Sequence, residues 1–287
     1  MKKINVFATA LCASLTITAF GGFIIPAATD ANEAGIIFNV DAAAKKGFVK
    51  KSGKWYYYKN GKKVTGLNKI SGKYYYFGSG GAMLGGEQTI DGFKYYFKTA
   101  KDGRSPAVTS RIQKLNGKKY YFSAKGKGFI SVGNKTGNKA VGMLMDEITS
   151  ISSADAKKSL ETVYEYIVAN IRYVGVGAPD INKKGWQYDT AYETIEKKRG
   201  MCYNYASLTG LAAKALGFSA KIVAGKGSRI INGQRRDPST HAWVLINGKY
   251  VVDTNYATSK TDKNYFFKTY DEIKNSVDTT YEENKKF

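Results

Sequence analysis

The sequence predicts an α+β chain in two parts. An N-terminal β-hairpin solenoid of about four repeats precedes a C-terminal domain that runs from helices into strands. Three observations carry this. A Gly-Lys-aromatic motif recurs with a near-constant period between residues 47 and 135. Apolar residues at helical spacing then appear from Leu160 onward. Alternating strand patterns around an Asn-Gly turn follow from His241.

The repeats read Gly53-Lys54-Trp55-Tyr56-Tyr57, Gly72-Lys73-Tyr74-Tyr75-Tyr76-Phe77, Gly92-Phe93-Lys94-Tyr95-Tyr96-Phe97 and Gly117-Lys118-Lys119-Tyr120-Tyr121-Phe122. Their leading glycines lie 19, 20 and 25 residues apart. A fixed period near that length marks a repeat architecture. Ser-Gly, Asp-Gly or Asn-Gly supplies a two-residue turn before each aromatic strand. One such hairpin cannot bury its own rings, so neighbours must stack. The expected divisions are a signal peptide over 1–34, a linker over 35–46, repeats over 47–135, a linker over 136–150 and a catalytic domain over 151–287.

Lys2 and Lys3 precede an apolar run from Val6 to Ile25, and Ala27, Ala28, Ala31 and Ala34 follow. That is the layout of a secretory signal rather than a membrane span. Its removal takes away Cys12, leaving Cys202 and His241 as the sole residues of their types. One cysteine and one histidine cannot build the usual zinc sites. The chain is therefore expected to need no metal or other cofactor.

Net charge is +22. From Asp41 to Lys135 there are 21 Lys and Arg against 4 Asp and Glu, a net of +17; from Thr136 to Phe287, 22 against 17 leave +5. The basic half favours polyanions. For an exported chain these are wall polymers or anionic lipid, and no base-reading motif points to nucleic acid.

In the second half, Leu160, Val163, Tyr164, Ile167 and Ile171 mark an amphipathic helix over about Ala154–Tyr173. Tyr188–Lys198 suggests a second helix. Gly200 breaks the chain before Cys202, and a third helix runs from there to a stop at Gly217. A thiolate at that helix start faces the partial positive charge of the N-terminus. A strand over Ala220–Ala224 precedes a hairpin, His241–Ile246 against Lys249–Asp253. A thiol nucleophile needs a base beside it and a group to orient that base. Cys202, His241 and Asp253 are the candidates.

Hairpin register tests this trio, because directly opposed residues share a face. A two-residue Asn247-Gly248 turn sets Ala242 against Asp253 and puts His241 and Asp253 on opposite faces. A three-residue loop over Asn247-Gly248-Lys249 sets Trp243 against Asp253, making His241 its diagonal neighbour. The trio therefore requires the longer loop, with Asn255 as the substitute polar partner otherwise.

Two resemblances follow from these residues. Residues 47 to 131 resemble the cell-wall-binding repeats of Gram-positive surface proteins, including choline-binding repeats. Where choline-binding units carry a tryptophan after glycine, this chain has Gly47-Phe48 and Gly66-Leu67, so a wall glycan or teichoic acid is expected instead of choline. Trp55, Tyr56, Tyr75, Tyr95 and Tyr120 are the expected wall contacts. From Ile151 to Ala257, Gly200-Met201-Cys202-Tyr203-Asn204-Tyr205-Ala206, Leu216-Gly217-Phe218, His241-Ala242-Trp243 and Val252-Asp253-Thr254 resemble the transglutaminase-like superfamily. That resemblance implies a papain-like core. It also implies Cys202 as nucleophile, His241 as general base and acid, and Asp253 as the orienting acid. The second oxyanion donor is not legible; Trp186, Gln187 and Tyr188 match no motif.

Two functions remain open. One is a secreted, wall-associated thiol enzyme acting on protein or peptide amides, either a peptidase or amidase or a transglutaminase. The other is a wall-binding adhesin with a vestigial catalytic domain.

Overall fold

The computed structural model describes residues 46–287. The expected signal peptide lies outside the described residues, as does the linker up to Ala44 and Lys45. Among the described residues, no helix is long and apolar enough to cross a membrane.

The repeat region is four stacked hairpin units. The first comprises β1 (Gly47–Lys51), β2 (Lys54–Lys59) and β3 (Lys62–Lys63), and the second β4 (Gly66–Ile70), β5 (Lys73–Phe77) and β6 (Met83–Leu84). The third is β7 (Gly86–Ile90) with β8 (Phe93–Phe97), and the fourth β9 (Arg111–Leu115), β10 (Lys118–Phe122) and β11 (Gly128–Ile130). The aromatic strands are entered through Ser52-Gly53, Ser71-Gly72, Asp91-Gly92 and Asn116-Gly117, each pair with positive φ at both residues. Those dihedrals make the turn that matches strand twist, so dipeptides ending in glycine are needed there. Lys51 pairs with Lys54, and Ile90 with Phe93, as two-residue loops require.

The solenoid is not uniform. In the third unit the third strand is reduced to a bridge of Ala107 on Phe97, and β11 joins the same edge of β8 at Gly128–Lys94. The last two units thereby fuse into one sheet ordered β7-β8-β11-β10-β9.

The predicted linker over 136–150 is instead mostly helix, α1 (Lys135–Glu147). The glycines and asparagines that read as a linker serve packing. Asn134 caps the helix by accepting from the Gly137 amide at 2.9 Å. A Cβ at Gly137 would lie 2.5 Å from the Tyr188 ring, and one at Gly142 would lie 3.2 Å from Tyr121. Ala140, Val141, Leu144 and Met145 are buried completely. The repeat region continues into this core: Phe93, Tyr95, Phe97 and Phe129 belong to the same apolar cluster as α1 and the helices that follow. Lys127, itself buried, crosses from the repeats to donate to the Met145 carbonyl at 2.9 Å and to the Ile148 carbonyl. It thereby satisfies the open C-terminus of α1.

Next come α2 (Ala156–Asn170), β12 (Arg172–Tyr173), α3 (Trp186–Lys197), β13 (Arg199–Gly200) and α4 (Cys202–Ala215). β14 (Ala220–Ser228), β15 (Ile230–Ile231), β16 (Gln234–Arg235), β17 (Ser239–Ile246) and β18 (Tyr250–Val252) follow. The chain closes with β19 (Phe266–Lys268), α5 (Tyr270–Val277) and β20 (Thr280–Lys286). Five strands form one antiparallel sheet ordered β19-β18-β17-β14-β20. Its two faces bury different clusters. Ala242, Val244 and Ile246 join the core containing α4, while Trp243 and Leu245 join Tyr265 and Ile273 on the other side. The period-two alternation of β17 produces this split.

One contact measures how firmly the repeats are joined to the helices. Gly92 has φ +80, and a Cβ there would lie 1.7 Å from the Ile151 carbonyl oxygen. The Ile151 amide also donates to the Asp91 carbonyl at 3.0 Å. Gly92→Ala must therefore break the seam as well as strain the turn. It is expected to lower unfolding free energy by more than about 2 kcal/mol in urea titration. Gly117→Ala, where a Cβ meets nothing within 4 Å, costs only the turn strain and serves as the control.

Candidate active site

Cys202 is the first residue of α4, and the fold holds that start tightly. The Met201 amide donates to Asn204 Oδ1 at 3.1 Å, and Asn204 Nδ2 donates to Thr194 Oγ1 at 3.1 Å. A Cβ at Gly200 would lie 2.3 Å from Asn204 Cβ, so only glycine lets the chain turn there. Helix α4 is buried on nearly every side. The Tyr205 hydroxyl donates to the Ile171 carbonyl, and the Thr209 and Thr254 hydroxyls meet at 2.9 Å. The second of these ties the helix to the segment after Asp253.

The hairpin takes the three-residue loop. Ile246 pairs with Tyr250 and Val244 with Val252, the register that the longer loop requires. Asn247 and Gly248 both have positive φ, and the Lys249 amide donates to the Ile246 carbonyl at 3.0 Å. Lys249 is the bulged residue and not a strand residue. His241 and Asp253 consequently meet: Nε2 lies 2.7 Å from Oδ2, with both side chains buried. Asp253 Oδ2 also accepts the Tyr281 hydroxyl at 2.9 Å, and Oδ1 accepts the amides of Asn255 and Tyr256 at 3.0 and 3.1 Å. A buried carboxylate with this many donors is compensated for its lost hydration.

The imidazole is packed as tightly as the carboxylate. Tyr256 stacks on it with centroids 3.8 Å apart and planes 12° apart. The Arg229 guanidinium lies over the Tyr256 ring at 4.4 Å and donates to the Tyr256 carbonyl at 3.0 Å. A Cβ at Gly227 would lie 2.3 Å from the Tyr256 hydroxyl and 3.2 Å from His241 Cδ2, so that strand stays bare beside the ring. Burial pulls the His241 pKa down. The Asp253 charge and hydrogen bond outweigh this, Cys202 nearby adds to them, and the value rises to about 9. With Nε2 held by Asp253, Nδ1 is the ring nitrogen left for the thiol.

Cys202 and His241 open onto a cleft of about 620 Å³. Tyr173, Met201, Arg229, Arg236 and Asp237 form part of its wall. Trp186 is not among the lining residues; it is buried against Tyr203 and Phe287, and its indole N–H has no partner among the described residues. Sequence reasoning missed Tyr256, Arg229 and Tyr281. The one signal was Gly225-Lys226-Gly227, a pair of strand glycines that marks close approach by other groups.

The expected wall-contact rings divide. Tyr75 and Tyr95 are buried, Tyr75 among Phe48, Ile70 and Phe77 and Tyr95 stacked on Phe97, so these two are solenoid core. Trp55, Tyr56 and Tyr120 are half-buried, and cations of the chain itself face them. Arg104 lies 5.9 Å over Trp55 and 4.8 Å over Phe48, Lys63 lies 4.4 Å over Tyr56, and Lys94 lies 5.4 Å over Tyr120.

Fold and site together set a thiol, an imidazole and a carboxylate between a helix start and an antiparallel sheet. Residues 142–252 match the transglutaminase-like superfamily, a span that begins inside α1. Residues 64–104 match the choline-binding repeat. The chain thus carries a transglutaminase-like core preceded by choline-binding-type repeats. No curated protein matches it. Among solved structures it is similar to choline binding protein F from Streptococcus pneumoniae, at 33% identity over 29% of this chain and 27% of that one, TM-score 0.26. It is similar to CbpJ from Streptococcus pneumoniae at 29% identity over 29% and 28%, TM-score 0.26. A truncated alternansucrase from Leuconostoc mesenteroides matches at 28% identity over 30% and 7%, TM-score 0.26. The chain spans 27% and 28% of the length of the two choline-binding proteins.

The raised His241 pKa has a stability consequence. A group whose folded pKa lies above its unfolded value stabilises fully below the unfolded value and loses that contribution as pH rises through the folded one. From 6.5 to about 9 the contribution is on the order of 3 kcal/mol. Unfolding free energy should fall across this window in the native protein. The slope should flatten in His241→Gln, measured by urea titration at stepped pH.

Proposed function

We propose that the protein is a secreted, wall-associated thiol enzyme that acts on protein or peptide amides through a thioester. The observation that carries this is the buried Cys202–His241–Asp253 chain at the floor of an open cleft. The Cys202 thiolate attacks the amide carbonyl carbon, and the charge moves onto the carbonyl oxygen. The Cys202 amide, at the first position of α4, has no acceptor among the described residues and can donate to that oxyanion. The carbon–nitrogen bond breaks as His241 gives its proton to the departing nitrogen. Water then attacks the thioester, His241 takes its proton, and the carbon–sulfur bond breaks to free the thiolate. A lysine amine in place of water would give a crosslink. The exposed approach past Ser239, Thr240 and Arg236 favours water.

The repeats hold the enzyme on the wall by charge. Arg104 covers the faces of Phe48 and Trp55 and is itself paired with Asp102, so a quaternary ammonium finds that face taken. The lysines beside Tyr56 and Tyr120 suit an anionic polymer.

Thiol alkylation tests the catalytic reading. Iodoacetamide should label Cys202 rapidly well below pH 8, and His241→Ala should slow this by about tenfold or more. Alkylation at an ordinary rate, indifferent to His241, leaves the adhesin reading standing. On isolated cell walls, full-length Cys202→Ala should bind as well as the native protein. Binding should weaken steeply as salt shortens the Debye length below about 8 Å, and choline should not release the protein.

A further inference from the structure

The C-terminal strand β20 lies beyond the segment that matches the transglutaminase-like superfamily. It joins the sheet on the free edge of β14, setting Tyr281 against Gly227. Gly225 makes the approach possible, since a Cβ there would lie 1.9 Å from the Glu282 carbonyl oxygen. From this strand Tyr281 reaches the orienting carboxylate. Its hydroxyl donates to Asp253 Oδ2 at 2.9 Å, the same oxygen that faces His241 Nε2 at 2.7 Å. The opposite oxygen is taken by two backbone amides. Among the described residues, Tyr281 and His241 are the two side chains that share this carboxylate. The ring is fixed by Trp243 at 4.7 Å and by stacking on Tyr256 at 5.9 Å.

We propose that Tyr281 is a positioning residue that sets the acidity of the His241 imidazolium by dividing the Asp253 oxygen with it. The proposal rests on the amide chemistry argued above. A carboxylate oxygen with two donors offers each less charge than it offers one alone. The hydroxyl moderates the pull on the imidazolium and keeps its proton transferable to a leaving nitrogen. Burial and the Asp253 charge hold the Tyr281 pKa well above its ordinary value, so the hydroxyl remains a donor. The other titratable or charged groups around the pair are Cys202, Tyr164, Tyr256, Tyr265, Tyr270 and Arg229. None of them donates a side-chain hydrogen bond to Asp253.

His241 is the sole histidine, so its NMR titration is unambiguous. Tyr281→Phe removes one oxygen and keeps the ring. It should move the His241 midpoint upward by about half a pH unit or more and lower kcat up to about threefold per half unit with KM unchanged. Tyr270→Phe removes a hydroxyl that bonds Trp243 and Glu283 on the same face without touching Asp253, and should leave the midpoint in place. In an Asp253→Asn background, Tyr281→Phe should have no further effect on the midpoint. A midpoint in Tyr281→Phe that stays put or moves down overturns the proposal, as does an equal shift when Asp253→Asn is already present. Near-UV circular dichroism separates these outcomes from loss of fold. If the native protein turns over no amide, the functional reading fails while the titration still decides the role of Tyr281.

Discussion

The Asp253 carboxylate is the point on which the second half of this chain depends. It is buried, and four donors from three places in the sequence converge on it: His241, the neighbouring amides of Asn255 and Tyr256, and Tyr281. Removing a carboxylate from water costs several kcal/mol unless each lone pair is matched. Matching them dictates local structure. The amide pair on Oδ1 bends the chain sharply after β18, and that bend brings Tyr256 onto the imidazole. The bare strand at Gly225 and Gly227 admits Tyr256 and β20. The site is thus rigid because its charges are buried, and its charges can be buried because the surrounding backbone is shaped to meet them.

The same logic joins the two parts of the chain. A helix of thirteen residues with two packing glycines, such as α1, has little intrinsic tendency to persist alone. Burial against the repeat sheet on one side and α3 and α4 on the other supplies what propensity does not. Lys127 then closes the C-terminal carbonyls from the repeat side, its ammonium 4.2 Å over the Phe93 ring. Burial lowers the pKa of this lysine, and the nearby Asp146 charge works against that. The last repeats therefore act as part of the helical core.

Much of this was legible where short-range rules govern. Four glycine-ending turns fixed the hairpins of the solenoid, because positive φ at two successive positions leaves few residues to choose from. Hairpin register was legible too: the demand that His241 reach Asp253 selected the three-residue loop, and Ile246 does pair with Tyr250. Legibility ended where packing overrides composition. The stretch 136–150 reads as a linker, yet Gly137 and Gly142 are small because Tyr188 and Tyr121 need the space. Tyr75 and Tyr95 look like their neighbours in sequence, and strand alternation alone sends them inward. Tyr281 sits in an exposed, charged edge strand, and nothing near it in sequence signals a partner twenty-eight residues away.

The shared core also bears on how the proposed wall-bound enzyme would work. An enzyme joined to its anchor by a flexible linker samples a volume, and the effective concentration of substrate falls as that linker lengthens. Here α1 stands where a linker was expected, and Gly92 locks the last repeats to the backbone at Ile151. A polymer gripped by the repeats, as proposed, would therefore be presented to the cleft at one distance and one angle. Such a protein does not search the surface around its anchor. On the proposed reading it would act only on bonds that recur at that fixed offset, and the spacing of the wall polymer would become part of its specificity.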